Sequence, residues 1–223
     1  NGFFDVIEAM ITLGTELGVT YHTKSNIEEI IIENNKAIGI KVNNEIFKSD
    51  VVLSGADYHH TETLLPIKNR QYSEAYWDKK TFAPSSLLFY VGFDKKLKNV
   101  CHHNLFFDSD FNKHAVDIYD NPKWPEEPLF YANFTSITNQ HTAPEGSENG
   151  FFLVPIAPDL EDNEKLRETY FEKIISRFEK ITKQSVRENI IYKKSFCVND
   201  FKSEYNSYKG NAYGMANTLL QTA

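Results

Sequence analysis

The N-terminal quarter of the sequence alternates short runs rich in β-branched residues with pairs of asparagines. The run Ile27 to Asn34 ends in Asn34-Asn35, a small polar pair that tolerates positive φ in a tight hairpin. The run Ala37 to Asn43 then predicts a return strand, a second turn falls at Asn43-Asn44, and Ile46-Phe47 predicts a third short strand. The pattern therefore predicts a β-meander in which Ile27 to Asn34 and Ala37 to Asn43 pair as a hairpin.

Apolar segments flank this meander on both sides. Before it, apolar residues at helical spacing predict a helix from Phe3 to Leu17, and Val19 to His22 predicts a short strand. After it, Val51-Val52-Leu53 is a continuous apolar run, which is typical of a strand covered on both faces. The small residues Ser54-Gly55-Ala56 and then Asp57 follow directly. Such a turn either lets the backbone approach a nucleotide or joins a strand to a helix with Asp57 as N-cap, and these residues alone leave both interpretations open.

The rest of the chain predicts a sheet with helices packed on it. The segment Ser86 to Phe93 is apolar on both faces, which predicts a sheet covered on two sides, by helices or by a ligand. The other predicted strands are Asn104 to Phe107, Leu129 to Phe134, Gly150 to Ile156 and Asn189 to Phe196. The predicted helices are Tyr58 to Leu65, Gln71 to Lys79, Asp162 to Lys183 and Val198 to Asn206. The predicted fold class is therefore mixed α/β.

The composition indicates a globular protein whose partners are neutral or apolar. A net charge of −7 without a stripe of Lys and Arg argues against nucleic acid as a partner. Each apolar run is well short of the roughly 20 residues that span a bilayer. Cys101 and Cys197 are too few for a disulfide framework, so reduced thiols are expected. The 17 Phe and 12 Tyr indicate either a core rich in rings or an apolar ligand cavity.

Hydrolytic and metal chemistry find little support in the sequence. The pairs His59-His60 and His102-His103 chelate a metal poorly, because adjacent side chains point in different directions, and we expect no metal site. A G-x-S-x-G nucleophile elbow is absent from the sequence. Cys101-His102 is a weak nucleophile pair, since catalytic Cys and His normally meet through the fold. Redox chemistry carried by a cofactor is the remaining hypothesis.

The order of these segments resembles the phytoene desaturase-like flavoproteins, which belong to the amine oxidase type of flavoenzyme. The turn Ser54-Gly55-Ala56-Asp57 after the meander is similar to the S-N-A-D turn of that family, with Gly in place of Asn. Four later segments are similar to the family in the same order: Pro84 to Asp94, His102 to Phe107, Ala143 to Gly146, and Tyr205 to Gln221. A second departure is Asn217, where the family usually has Pro. The family's G-x-G-x-x-G fingerprint and its C-terminal glycine-rich segment are absent, so we expect an internal fragment of a protein about twice as long.

The resemblance implies a fold, a function and a domain plan. It implies an FAD-dependent oxidoreductase that desaturates C–C bonds of an isoprenoid polyene, with hydride passing to the flavin. Residues 1–57 would be the second half of a Rossmann-like FAD domain with its β-meander. Residues 58–204 would be a substrate domain, a mixed β-sheet covered by helices, and residues 205–223 would begin the return to the FAD domain. We expect the isolated chain to be inactive and not to retain FAD, which belongs to the intact protein.

The resemblance also implies site residues and partners, with no catalytic residue assigned. The predicted cofactor-binding residues are Ile27, Ser54, Gly55, Ala56 and Asp57. The predicted substrate-binding residues are the rings of Phe89, Phe106, Tyr131, Tyr205, Tyr208 and Tyr213. We expect an apolar carotenoid-like substrate, no nucleic acid and a cytoplasmic location, and we leave open a homo-oligomer and peripheral association with the inner face of the membrane. A polyene isomerase or saturase of the same fold and a non-catalytic lipid-binding module remain alternatives.

Overall fold

The computed structural model describes residues 2–222, so the outer limits of the first and last predicted domains, residues 1 and 223, lie outside the described residues. The chain divides into two compact units, Asn1–Gly55 with Thr61–Gln71, and Ala56–His60 with Tyr72–Ala223. Each unit combines helices with an antiparallel sheet, which confirms the mixed α/β class. The division into three functional domains stays a prediction.

The first unit contains one helix followed by the predicted meander. Helix α1 spans Phe3–Glu16, and strands β1 (Ile27–Glu33), β2 (Lys36–Val42) and β3 (Glu45–Lys48) pair antiparallel in that order. The hairpin prediction is confirmed. Asn34, Asn35, Asn43 and Asn44 all have φ between 49° and 63°, the left-handed conformation that the two tight turns require.

Two predicted strands of the first unit are wrong. Residues 19–22 are not in a strand, because the Val19 amide donates to the Gly14 carbonyl at 2.8 Å and so folds the chain back along α1. Val51 to Leu53 is also irregular, and Val51 and Leu53 are 79% and 94% exposed. An apolar run becomes a strand only when another strand accepts its backbone hydrogen bonds, and none of the described strands pairs with this one.

The second unit is built on a five-stranded sheet of order β5-β6-β7-β4-β8. Its strands are β4 (Ser85–Phe93), β5 (His103–Phe106), β6 (Phe130–Asn133), β7 (Glu148–Ile156) and β8 (Ile190–Phe196). Helix α2 spans Tyr58–Thr63 and begins in this unit, and its other helices are α3 (Glu74–Asp78), α4 (Phe111–Tyr119), α5 (Glu164–Thr182), α6 (Val198–Tyr205) and α7 (Leu219–Thr222). The described strands pair only antiparallel, where the sequence predicted a sheet of mixed direction.

Helix α5 packs on one face of this sheet, which we call the covered face. Apolar residues at intervals of three and four point Ile174, Ile175 and Phe178 into the core, where they are fully buried. Alternate residues of β7 meet them, so Phe152 and Val154 are buried and their neighbours Phe151 and Leu153 are only half-buried. The predicted cover helix is confirmed.

The other face of the sheet, which we call the open face, is apolar as well. Strand register places five side chains in one row across all five strands, since directly paired residues of antiparallel strands share a face. The row consists of Leu105, Tyr131, Leu153, Leu88 and Phe196. The sequence predicted a sheet covered on both sides; on this face Leu88 is buried, Tyr131, Leu153 and Phe196 are half-buried, and Leu105 of the edge strand is 66% exposed, so the face is covered in part.

Helix α4 lies beside one end of the open face and was not predicted. Its polar and apolar residues are irregularly mixed, and only His114, Asp117 and Ile118 are buried. An N-cap defines its start: the Asp110 carboxylate accepts hydrogen bonds from the amides of Asn112 and Lys113 at 2.8 and 3.2 Å.

Candidate functional site

A cavity of about 370 Å³ lies between the open face and α4. Its floor is formed by residues of β4, β5, β6 and β7, and its wall by α4. The described lining residues include no Asp, Glu, Lys or Arg; they are Pro84, Ser86, Leu105, Phe107, Phe111, His114, Ala115, Ile118, Tyr119, Leu129, Phe130, Tyr131, Leu153, Pro155 and Tyr213. A lining of this kind suits an apolar ligand.

Hydrogen-bonding groups in the lining are engaged at two places. The Tyr131 hydroxyl lies 2.6 Å from Nδ1 of His103 on the neighbouring strand. In the wall, His114 Nε2 lies 2.8 Å from the Pro155 carbonyl oxygen, and its Nδ1 accepts from the Leu129 amide at 3.0 Å. Burial lowers the pKa of His114 below its usual value, so the ring is neutral at pH 7.

The six predicted substrate-binding residues do not all converge on this cavity. Tyr131 and Tyr213 line it, and Tyr213 is 67% exposed at its edge. Phe89 and Phe106 belong to the covered face. Phe89 packs on Phe171 of α5 with ring centroids 5.0 Å apart, and Phe106 stacks on Phe130 at 4.3 Å.

Tyr205 and Tyr208 lie outside the cavity lining. Tyr205 is 63% exposed and packs against Phe196, at the far end of the open-face row. The Tyr208 hydroxyl donates to the Asp78 carboxylate at 2.9 Å. Burial and that carboxylate together raise the pKa of Tyr208 to about 12, so it stays a neutral donor.

The predicted cofactor-binding residues of the first unit are Ile27, Ser54 and Gly55. Ile27 opens strand β1 at the edge of the meander, opposite Val42, and is half-buried. Ser54 and Gly55 are exposed, and a Cβ built on Gly55 meets no atom within 4 Å. Exposed backbone beside small side chains fits a group that is held through main-chain contacts.

Ala56 and Asp57 belong to the second unit. Ala56 is exposed. Asp57 accepts hydrogen bonds from the His60 amide of α2 at 3.2 Å, and from the Tyr208 amide and the Asn211 side chain at 3.3 Å each. The hydrogen bond from the His60 amide matches the N-cap interpretation of Asp57. The hydrogen bond from the Tyr208 amide could not be predicted from a sequence pattern, because the two residues lie 151 positions apart.

The two histidine pairs are arranged differently. His59 packs its ring on Trp77 and Tyr208 and lies 2.9 Å from the Glu74 carboxylate. His102 and His103 have ring centroids 4.3 Å apart. In the part of the chain that the structure describes, no group of three or more His, Cys, Asp and Glu side chains is arranged to hold a metal ion.

Sequence reasoning missed the residues of α4 that form the cavity wall. Phe111, His114 and Ile118 recur at intervals of three and four, which is a helical spacing on one face. The N-cap Asp110 was the second available signal. Both signals were weak because the helix is short and half of its residues are polar.

The fold is similar to that of part of one known structure. An oxidoreductase of known structure from Methanosarcina mazei superposes with a TM-score of 0.60 at 20% identity, over 86% of this chain and 41% of that protein. The described residues therefore share the fold of part of that protein. No established family profile matches the chain.

The sequence is similar to that of several desaturases. A carotenoid 3,4-desaturase from Haloarcula japonica is 41% identical over all of this chain and 45% of its own length. A 4,4′-diapophytoene desaturase from Staphylococcus haemolyticus is 29% identical over all of this chain and 46% of its own length. A ζ-carotene-forming phytoene desaturase from Myxococcus xanthus is 26% identical over 99% of this chain and 43% of its own length. The resemblance to the phytoene desaturase-like family is confirmed, and the chain spans slightly less than half the length of these curated relatives.

Among the described residues, no helix is both long enough and apolar enough to cross a membrane.

Proposed function

We propose that the chain forms the substrate-binding part of an FAD-dependent desaturase that acts on an apolar isoprenoid polyene. The observation that carries this proposal is the uncharged cavity on the open face of the second unit, in a chain whose relatives are carotenoid desaturases. A hydrocarbon has no polar groups, so it binds mainly through van der Waals contacts with aliphatic and aromatic side chains.

The cavity volume indicates how much of the polyene is held. At about 370 Å³ it lies near the low end of the 300–1,000 Å³ that is usual for small-molecule sites. A long polyene would therefore place one end group in the cavity and lay the rest along the open-face row. The protein's contribution is to orient the hydrocarbon and to exclude water around it.

The FAD of the intact protein would be held in part by backbone contacts at Ile27, Ser54, Gly55 and Ala56, with Asp57 fixing the turn that follows. When bound, the flavin supplies the hydride acceptor. Backbone contacts are consistent with the small, exposed side chains at residues 54–56.

Binding can be tested with a neutral solvatochromic dye and its displacement by 4,4′-diapophytoene. Leu153→Asp places a charge in the floor of the cavity, and we expect it to weaken dye binding at least about tenfold, the equivalent of 1.4 kcal/mol. Ile191→Asp is the matched control, since Ile191 lies outside the lining and is 64% exposed. Equal affinity of the Leu153→Asp variant and the wild type would remove the cavity from the proposal.

A measurement of turnover distinguishes a desaturase from an isomerase, a saturase and a lipid-binding module. A full-length protein that contains this sequence, supplied with FAD and 4,4′-diapophytoene, should lengthen the conjugated system and move its absorbance to longer wavelength. An isomerase would leave the number of double bonds unchanged, a saturase would shorten the conjugated system, and a lipid-binding module would bind without turnover.

A further inference from the structure

The His114 side chain is the buried polar contact between α4 and the sheet. His114 is only 5% exposed, and its ring contacts β7 and the residue that precedes β6. One nitrogen lies 2.8 Å from the Pro155 carbonyl oxygen in β7, and the other accepts from the amide of Leu129, directly before β6, at 3.0 Å. The imidazole thus joins the cavity wall to the cavity floor.

One protonation state alone satisfies both contacts. With its proton on Nε2, the neutral ring donates to the Pro155 carbonyl and accepts at Nδ1 from the Leu129 amide. A protonated ring carries N–H on both nitrogens, so the Leu129 N–H would face another N–H. A buried amide without an acceptor is unfavourable.

The charges around the ring come from α4 and α5. Asp117, one turn further along α4, favours the protonated ring, but its carboxylate is paired with Lys123 at 3.3 Å. Arg177 of α5 disfavours protonation, and β6 and β7 present backbone groups. Burial is the largest influence and lowers the pKa of His114 below its usual value, so the ring stays neutral to a lower pH than an exposed histidine does.

We propose that His114 is a pH-sensitive positioning residue that holds α4 in place as the cavity wall when neutral and releases it when protonated. The hydrogen bonds of His114 to the sheet do not depend on which ligand the cavity binds. The consequence for polyene binding rests on the proposed function.

Nuclear magnetic resonance on the wild-type chain tests the contact without any ligand. Ring nitrogen shifts should show the Nε2–H tautomer at pH 8. The hydrogen-exchange protection factor of the Leu129 amide should fall at least about fivefold as His114 titrates, the low end of the effect of a lost buried hydrogen bond. A protection factor that stays constant through the His114 titration would overturn the proposal.

Dye binding tests the effect on the cavity. For the wild type we expect the affinity for the neutral dye to fall at least about fivefold as pH is lowered from 8 through the His114 titration found by nuclear magnetic resonance. His114→Gln offers a donor and an acceptor that do not titrate, so its affinity should not change with pH, whereas His141→Gln, at an exposed histidine, should keep the wild-type profile. A parallel fall in the His114→Gln variant would overturn the role of His114. Absence of dye binding at every pH would instead contradict the proposed function. The hydrogen exchange of the Leu129 amide would then still test the contact between His114 and Leu129.

Discussion

Phe89 and Tyr90 are neighbours in β4 and have opposite environments. Phe89 is 1% exposed and packs on α5, whereas Tyr90 is 42% exposed on the open face. The sequence showed that this strand is apolar on both faces, but alternation alone could not say which face meets a helix. That choice depends on α5, which follows about 70 residues later and packs on only one side.

The first prediction contrasts these two positions. Phe89→Ala should lower the free energy of unfolding by about 3–5 kcal/mol, because it removes a ring from a closely packed core. Tyr90→Ala should lower it by less than about 1.5 kcal/mol, since the ring is already partly in water. Urea denaturation measures both values. Similar losses for the two variants would contradict the assignment of the covered face.

The second prediction concerns the buried ion pair of Arg167. Its guanidinium contacts the Asp162 carboxylate at 2.6 Å and the Asp200 carboxylate at 2.7 Å, and the Asp162 side chain is fully buried. Arg167→Met should cost about 3–5 kcal/mol, because it leaves a buried carboxylate without its partner. Lys202→Met, which breaks an exposed pair with Asp159, should cost at most about 1 kcal/mol.

The pH dependence of this effect has a definite sign. Burial by itself would raise the pKa of Asp162, but hydrogen bonds from Arg167 and from the Asn199 amide outweigh it and lower the pKa below 3.8. A lowered folded-state pKa stabilises the protein above the unfolded pKa of about 3.9, and the stabilisation is lost as pH falls through the folded value. The stability difference between wild type and Arg167→Met should therefore be largest at neutral pH and shrink as pH falls, because below about pH 4 the wild type loses this stabilisation. A constant difference down to pH 2 would contradict this account.

At the scale of elements, local patterns predicted best where the turn chemistry was explicit. The meander was predicted from two asparagine pairs, and α5 from its long apolar periodicity. Residues 51–53 carried a strong strand pattern and form none, since a strand also needs a partner. Helix α4 had only a weak helical pattern in the sequence. It forms because Asp110 caps its N-terminus and His114 hydrogen-bonds to the Pro155 carbonyl of the sheet.

The third prediction uses two glycines of the first unit. A Cβ on Gly39 of β2 would lie 2.2 Å from the Phe47 carbonyl oxygen of β3, and its φ of 156° is unfavourable for other residues. Gly39→Ala should therefore disrupt the pairing of β2 with β3. Gly55→Ala is the control, because its Cβ would meet no atom within 4 Å. Hydrogen exchange of the Ser49 amide, bonded to the Ile38 carbonyl at 3.0 Å, should accelerate in the first variant only.

At the scale of the whole molecule, the resemblance to the family could be recognised from the sequence, while the lining of the candidate cavity could be predicted only in part. Tyr131 and Tyr213 were predicted and line the cavity, but the α4 wall was missed. Family motifs preserve the order of segments, whereas a cavity depends on which side chains meet across distant segments. Strand register and helix packing decide that in three dimensions.

The fourth prediction concerns the cofactor. The chain contains no G-x-G-x-x-G segment. In dinucleotide-binding folds this segment forms the loop that positions the pyrophosphate at a helix N-terminus. Backbone contacts at Ile27 and residues 54–56 would supply a minority of the binding energy. We therefore expect the purified chain to be colourless after gel filtration in the presence of FAD. A flavin spectrum at near-stoichiometric occupancy in the protein peak would contradict this expectation.

The last prediction follows from the exposed apolar side chains at the edge of the cavity. Leu105, Phe107, Phe111 and Tyr213 are 66%, 58%, 60% and 67% exposed, and large exposed apolar patches on soluble proteins usually mark contact surfaces. We expect the chain to self-associate with rising concentration, as measured by light scattering. Phe111→Lys should weaken this association at unchanged thermal stability. Ile191→Lys, at an equally exposed apolar residue outside the cavity lining, should leave it unchanged. Equal weakening by both substitutions would mean that general surface hydrophobicity, and not the cavity edge, brings the copies together.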